Sequence, residues 1–140
     1  MDALYTASAT TSGGGRQGKV TSSDGIIDFS LSMPKGLGGA GGNGTNPEQL
    51  FAAGYSACFD SALNLVARQE RKKIESEVTA EVSIGKDTDG GFGLSVNMKV
   101  DIKGVTQEEA EQLVNTAHTV CPYSKATKGN INVDLQAKAI

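Results

Sequence analysis

Two cysteines are the residues of this 140-residue chain with the clearest capacity for chemistry. Cys58 lies in a segment of small and apolar residues, and Cys121 opens the sequence Cys-Pro-Tyr-Ser. Two thiols serve either as inert core residues or as a redox couple, in which a thiolate is oxidised to a sulfenic acid and condenses with the second thiol. Helical periodicity alone favours core filling.

Other chemistries fit the chain less well. His118 with Cys58 and Cys121 supplies fewer than the four ligands of a structural zinc, so we expect no metal. His118 is also the single histidine, and no orienting partner for a cysteine-protease site is evident. The glycine patterns of residues 13–20 and 36–41 lack the structural context of phosphate-binding loops, and no bound cofactor is predicted.

Charge and composition indicate the class of partner. The net charge is −3 and both signs are scattered, which argues against a nucleic-acid partner. No secretory signal or membrane-spanning stretch is expected, so the cytoplasm is the predicted location and no membrane partner is expected. A disulfide formed there would be transient and part of a cycle.

The N-terminal part is predicted to be a meander of three short strands. These strands lie near Leu4 to Thr10, Lys19 to Ser22 and Ile26 to Leu31, with glycine-rich or Asp-Gly turns between them. A glycine-rich loop comes next, at residues 36–44. Asn46 as N-cap and Pro47 at the first helical position then start a helix.

The central helix carries the first cysteine on its apolar face. Its predicted apolar stripe consists of Phe51, Tyr55, Cys58, Ala62, Leu65 and Val66. Period-two alternation then predicts an antiparallel hairpin over residues 77–84 and 94–102, with one face in water. A capping box of Thr106 and Glu109 starts a second helix that ends near Cys121, with a sharp turn at Pro122 and a last strand over residues 131–135.

These elements predict one α+β domain over residues 1–140, in the order βββ-α-ββ-α-β with a mainly antiparallel sheet. Burial on the helix would raise the pKa of Cys58, so a reactive thiol there needs a fixed cation nearby. Arg16 in the N-terminal glycine turn is the candidate, because guanidinium keeps its charge when partly desolvated. Such an arginine would itself need a carboxylate.

Residues 44–59, with residues 120–124 and Gly129-Asn130, closely resemble the organic hydroperoxide resistance proteins, the Ohr branch of the Ohr/OsmC superfamily. The resemblance covers essentially the whole chain and departs from the family at Lys128, where arginine is common, and at Gln17, where an acidic residue is frequent. It implies the OsmC-like fold, with a long buried central helix and an intertwined homodimer.

The resemblance also implies roles for individual residues. Cys58 is the peroxidatic thiol and Cys121 the resolving thiol, Arg16 stabilises the thiolate and polarises the peroxide, and Glu48 orients Arg16. The implied activity is reduction of alkyl and lipid hydroperoxides through a disulfide between the two cysteines. Dihydrolipoamide or a lipoylated protein is the implied external reductant.

Two further expectations concern geometry. Glu48 and Cys58 lie ten residues apart on one helix, roughly 15 Å at about 1.5 Å per residue, so we expect Arg16 and Glu48 to act on Cys58 of the partner subunit. An apolar collar is expected to favour organic over inorganic peroxide; its members are Met33, Pro34, Leu37, Phe92 and Tyr123. Open alternatives are a cysteine-based redox sensor or ligand-binding module without turnover, and a structural domain with unreactive thiols.

Overall fold

The computed structural model describes residues 1–140 and has the predicted α+β class. The order of strands and α-helices is βββ-α-ββ-αα-β, which is the predicted order with one additional short helix before the last strand. The strands are β1 (Ala9–Ser12), β2 (Lys19–Ser22), β3 (Asp28–Ser30), β4 (Glu75–Lys86), β5 (Phe92–Lys103) and β6 (Val133–Ala139). The helices are α1 (Pro47–Gln69), α2 (Gln107–Val120) and α3 (Pro122–Thr127). The chain divides into two compact units, Met1–Leu50 and Phe51–Ile140. The prediction of a single domain stays a prediction.

The first unit contains an antiparallel sheet in the order β1-β2-β3, as the meander prediction required. The middle strand begins and ends where the sequence placed it, but β1 begins at Ala9 rather than Leu4, and β3 covers only Asp28–Ser30. Between β1 and β2 three consecutive glycines, Gly13 to Gly15, have positive φ. Such angles suit glycine, and they form the turn that leads into the short 3-10 helix Gly15–Gln17, which carries Arg16.

This first unit buries very little apolar surface. Val20 and Leu31 are its buried hydrophobic residues, whereas Tyr5 is 82% exposed, Ile26 81% and Phe29 48%. A sheet of three short strands needs a covered apolar face to be stable in water. A second surface that covered these exposed apolar side chains would therefore stabilise the unit.

Helix α1 starts as predicted. The amide of Gln49 donates to the side-chain Oδ1 of Asn46 at 2.8 Å, and Pro47 is the first helical residue. Its buried residues are Tyr55, Phe59, Ala62, Leu63, Val66 and Ala67. The predicted stripe is wrong at Leu65, which is exposed, because the buried face runs through Leu63 instead.

Helix α1 is 23 residues long and contains an 18-residue window with a mean hydropathy of 1.2, so it is long and apolar enough to cross a membrane by length and composition alone. The expectation that no stretch reaches that length is therefore corrected. Core helices of soluble proteins pass the same criterion.

The second unit contains a sheet in the order β4-β5-β6. Strands β4 and β5 form the predicted antiparallel hairpin, with Val78 opposite Val100 and Val82 opposite Val96, and these residues share its apolar face. Strand β6 pairs with β5 in parallel, which is possible because α2 and α3 form the crossover between them. Three of the four strand pairings in the protein are antiparallel, so the mainly antiparallel prediction is confirmed.

The core of this unit lies between one face of that sheet and helices α1 and α2. Its buried residues include Phe59, Leu63, Met98, Ile102 and Leu113. The predicted capping box at the start of α2 is present, with reciprocal hydrogen bonds between Thr106 and Glu109. As predicted, α2 ends just before Pro122 and the chain bends there. Pro122 is also the first residue of the short helix α3, which was not predicted, because proline suits the first helical position.

Candidate active site

The two thiols meet in the second unit. The Sγ of Cys121 lies 3.5 Å from the Sγ of Cys58, and both cysteines are free thiols. Cys58 is half-buried on α1, and Cys121 is fully buried. A thiol pair at this distance needs only a small further approach to reach the S–S bond length of about 2.05 Å.

Cys121 is held from both sides of its backbone. Its amide donates to the carbonyl of Ala117 at 2.8 Å, and its own carbonyl accepts from the amide of Lys125 at 3.0 Å. Cys121 is therefore both the C-cap of α2 and the N-cap of α3. The bend between the two helices fixes where the thiol points.

The pKa of Cys58 is raised above its ordinary value in this chain. Burial is the main cause, and the neighbouring Cys121 adds to it, whereas the backbone amide of Tyr123 acts in the opposite direction. None of these groups is a cation. Within the second unit, therefore, the thiol is protonated more firmly than a free cysteine.

A second pair of site residues lies in the first unit. Arg16 and Glu48 form a bidentate ion pair, with Nη1 to Oε2 at 2.8 Å and Nη2 to Oε1 at 2.7 Å. Their side chains are 31% and 13% exposed. The 3-10 helix after the glycine turn presents the arginine, and the first turn of α1 presents the carboxylate.

This pairing fixes the charge of both groups. The hydrogen bond from Arg16 lowers the pKa of Glu48, although burial opposes the effect, and the hydrogen bond to Glu48 raises the pKa of Arg16. The two residues are a permanent cation and a permanent anion at neutral pH. The two carboxylate oxygens together hold the planar guanidinium in one orientation.

Three aromatic rings of α1 and α3 contact one another in the second unit. The ring of Tyr123 lies edge-on to Phe51, with centroids 6.2 Å apart, and 5.7 Å from the ring of Tyr55. It rests on Gly54, where a Cβ atom would lie 2.9 Å from the Tyr123 Oη. The small residue at position 54 therefore allows the ring to lie against α1.

The expected apolar collar is divided between the two units. Met33, Pro34 and Leu37 are half-buried in the first unit around the 3-10 helix Lys35–Leu37. In the second unit, Phe92 begins β5 and is 68% exposed, and Tyr123 is 41% exposed. The aromatic contacts of Tyr123 are with Phe51 and Tyr55, and none is with Phe92.

Sequence reasoning missed a polar network beside the cysteines. The buried Tyr55 Oη lies 2.8 Å from Ser124 Oγ and 3.2 Å from Thr127 Oγ1, and His118 Nδ1 lies 2.8 Å from the same Ser124 Oγ. His118, interpreted from the sequence as a polar helix residue, thus has a specific partner. Burial, with the charge of Lys128, lowers the pKa of His118. The available signal was the three-residue spacing of Ser124 and Thr127 after Pro122, which places both hydroxyls on one side of a helical turn.

Comparison with known proteins places this fold and these residues in a family. The family model described as OsmC-like protein matches residues 39–136. The chain belongs to the OsmC-like family. It is 53% identical to the organic hydroperoxide resistance protein of Xanthomonas axonopodis pv. citri (strain 306), over 94% of this chain and 93% of that protein. It is 51% identical to the organic hydroperoxide resistance protein OhrB of Bacillus subtilis (strain 168), over 97% of this chain and 99% of that protein.

Solved structures agree with the sequence relatives. The crystal structure of an organic hydroperoxide resistance protein from Elizabethkingia anophelis superimposes with a TM-score of 0.94 at 55% identity, covering 100% of both chains. The OsmC-like fold and the resemblance to the organic hydroperoxide resistance branch are therefore confirmed.

Proposed function

We propose that this chain is a thiol-dependent peroxidase that reduces organic hydroperoxides, alkyl and lipid, to alcohols and so confers resistance to them. The observation that carries the proposal is the 3.5 Å separation of the Cys58 and Cys121 Sγ atoms. A pair of free thiols at that distance suits oxidation to a disulfide. The names of the relatives support hydroperoxide as the substrate class.

The proposed reaction has two chemical steps. The Cys58 thiolate attacks the terminal peroxide oxygen, the O–O bond breaks, and the alkoxide takes a proton and leaves as the alcohol. Cys58 is then a sulfenic acid, oxidised by two electrons while the peroxide is reduced by two. The Cys121 thiolate attacks the Cys58 sulfur, the S–O bond breaks, and hydroxide takes a proton and leaves as water.

Arg16 and Glu48 are assigned to the activation of Cys58 of the partner subunit in an intertwined homodimer. Two observations support this assignment. Burial raises the pKa of Cys58 within its own unit, so an active thiol needs a cation from elsewhere. The first unit, which carries the Arg16–Glu48 pair, leaves apolar residues such as Ile26 and Phe29 exposed, as expected for a surface that a second copy covers.

The proposed reductant is a lipoyl dithiol, carried by dihydrolipoamide or a lipoylated protein, which reopens the disulfide by thiol exchange. The cytoplasm is the proposed location, because its thiol pools keep such a pair reduced between turnovers. The apolar collar of Met33, Pro34, Leu37, Phe92 and Tyr123 is proposed to favour organic over inorganic peroxide.

One observation favours the alternative of inert or merely sensing thiols. The raised pKa of Cys58 in the single chain is what an unreactive buried thiol has. These alternatives differ from a peroxidase in their response to added peroxide, since an unreactive thiol forms no sulfenic acid and a sensor completes one oxidation without turnover.

The test is mass spectrometry after addition of equimolar tert-butyl hydroperoxide. In the wild type, the proposal predicts a mass decrease of two hydrogens, from formation of the Cys58–Cys121 disulfide. In Cys121→Ser it predicts a mass increase of one oxygen, from a sulfenic acid on Cys58 that dimedone traps. Unmodified thiols in both proteins would refute the peroxidase.

A further inference from the structure

A second contact lies beside the thiol pair and repeats its arrangement. Tyr55 precedes Cys58 by three residues on α1, and Ser124 comes three residues after Cys121 in α3. The Tyr55 Oη and Ser124 Oγ are 2.8 Å apart, next to the 3.5 Å contact of the sulfur atoms. Both contacts therefore join α1 to the bend between α2 and α3.

The hydroxyl contact is shielded from water. Tyr55 is 0% exposed and Ser124 is 1% exposed. A buried hydroxyl that loses its partner is costly, so both groups hold the bend at one distance from the helix. The thiol contact differs, because it opens and closes in a redox cycle.

The network has one direction of proton donation. The Thr127 hydroxyl donates to the backbone carbonyl of Ser124 at 3.1 Å, which uses its only proton. Tyr55 must then donate to Thr127, and Ser124 must donate to Tyr55. The remaining contact, between His118 and Ser124, requires a proton on Nδ1 of the imidazole.

We propose that Tyr55 and Ser124 are positioning residues for disulfide formation, holding Cys121 within reach of the Cys58 sulfenic acid. The inference rests on the proposed function and concerns its second step alone. In that step the Cys121 sulfur bonds to the Cys58 sulfur as the S–O bond breaks and water leaves. The oxidant is the hydroperoxide already consumed in the first step, so no further oxidant is required.

The test separates the two steps by rapid mixing of the reduced homogeneous protein with tert-butyl hydroperoxide. Tyr55→Phe and Ser124→Ala remove the hydrogen bond, and Tyr5→Phe and Ser23→Ala remove the same groups from exposed positions as controls. We expect sulfenic acid formation within about twofold of wild type in all four variants. Disulfide formation slows about fivefold to tenfold in Tyr55→Phe and Ser124→Ala only, the size expected for one buried hydrogen bond.

Slower resolution leaves the sulfenic acid exposed to a second peroxide, so the same two variants accumulate sulfinic acid at lower peroxide concentrations. A merely structural role would change unfolding without separating the two rates. Disulfide formation at the wild-type rate in both variants would overturn the proposal.

A measurement on the wild type tests the network without any variant. Nitrogen-15 NMR of the imidazole is expected to find the His118 proton on Nδ1, and a neutral ring protonated only at Nε2 would overturn the network. Failure of the proposed function is a separate result, because the wild type would then form no sulfenic acid at all.

Discussion

The Sγ atoms of Cys58 and Cys121 lie 3.5 Å apart although the residues are 63 positions apart in the chain. One thiol is supplied by a long helix and the other by the bend between two helices, so neither element alone defines the site. The contact exists before any oxidation. A sulfenic acid formed on Cys58 would therefore meet its resolving thiol without a large rearrangement of the fold.

Replacing the cation is expected to make Cys58 less reactive at neutral pH. Arg16→Met removes the charge proposed to offset burial, which raises the pKa of Cys58 further and lowers its thiolate fraction. The rate of alkylation by iodoacetamide at pH 7 is expected to fall about tenfold for each unit of pKa. The difference in alkylation rate should shrink as the pH rises, because Cys58 is then ionised in both the wild type and the variant.

The matched control for that experiment is Lys19→Met, which removes an exposed cation paired with Asp28. Its alkylation profile should match that of the wild type. An unchanged profile in Arg16→Met would contradict the role of Arg16.

Mixing two variants that each lack one site residue tests whether the site is shared between subunits. A heterodimer of Arg16→Met with Cys58→Ser has one intact combination if Arg16 acts on Cys58 of the partner subunit. We expect peroxidase activity to return when the two proteins are unfolded together and refolded, to about half the wild-type activity per heterodimer. No recovery, with heterodimers shown by native mass spectrometry, would place Arg16 and Cys58 of one chain in the same site.

The Glu48 carboxylate is expected to stabilise the protein in a pH-dependent manner. Its pKa is lowered in the folded state, so its contribution is present above the ordinary value of 4.5 and is lost as the pH falls through the folded-state value. The free energy of unfolding of Glu48→Gln should therefore be about 1 kcal/mol lower than that of the wild type near pH 7. The difference from wild type should vanish in acid.

Urea unfolding across this pH range measures the effect, with Asp28→Asn as the control because Asp28 belongs to an exposed ion pair. A Glu48→Gln deficit of equal size at every pH would mean that packing, rather than the ion pair, is responsible.

The apolar collar is expected to set the choice of peroxide. Tyr123→Ala and Phe92→Ala remove apolar surface proposed to contact the alkyl group, so the ratio of kcat/KM for tert-butyl hydroperoxide to that for hydrogen peroxide should fall. A loss of about 1 kcal/mol of apolar contact corresponds to about fivefold. Ile140→Ala, at an exposed position after β6, should leave the ratio unchanged, and an unchanged ratio in all three variants would show that the collar does not select the peroxide.

The elements with strong local signals were the ones the sequence predicted well. Helix α1 begins at Pro47, and the alternation of β4 and β5 produced the correct hairpin, because caps and period-two patterns act over a few residues. The pattern of β6 identified a strand but not its parallel pairing with β5. Direction and partner depend on the crossover through α2 and α3, which is a tertiary property.

The sequence also predicted only part of the site. The residues alone indicated that Arg16 needs a carboxylate, and the family resemblance implied that this carboxylate is Glu48. The two side chains are bonded in the fold. The network of Tyr55 and Ser124 was not foreseen, since a tyrosine on an apolar helix face predicts core packing and nothing local names its partner 69 residues away. The pKa of Cys58 likewise depends on groups that only folding brings together.

The peroxidase function is tested most directly by steady-state turnover of tert-butyl hydroperoxide with dihydrolipoamide as reductant, in the wild type, Cys58→Ser and Cys121→Ser. Hydrogen peroxide and a thioredoxin system serve as comparisons. We expect sustained turnover in the wild type that prefers the organic peroxide and the lipoyl thiol and is abolished in Cys58→Ser. Absence of turnover in the wild type despite two titratable thiols, or equal turnover in Cys58→Ser, would contradict this function.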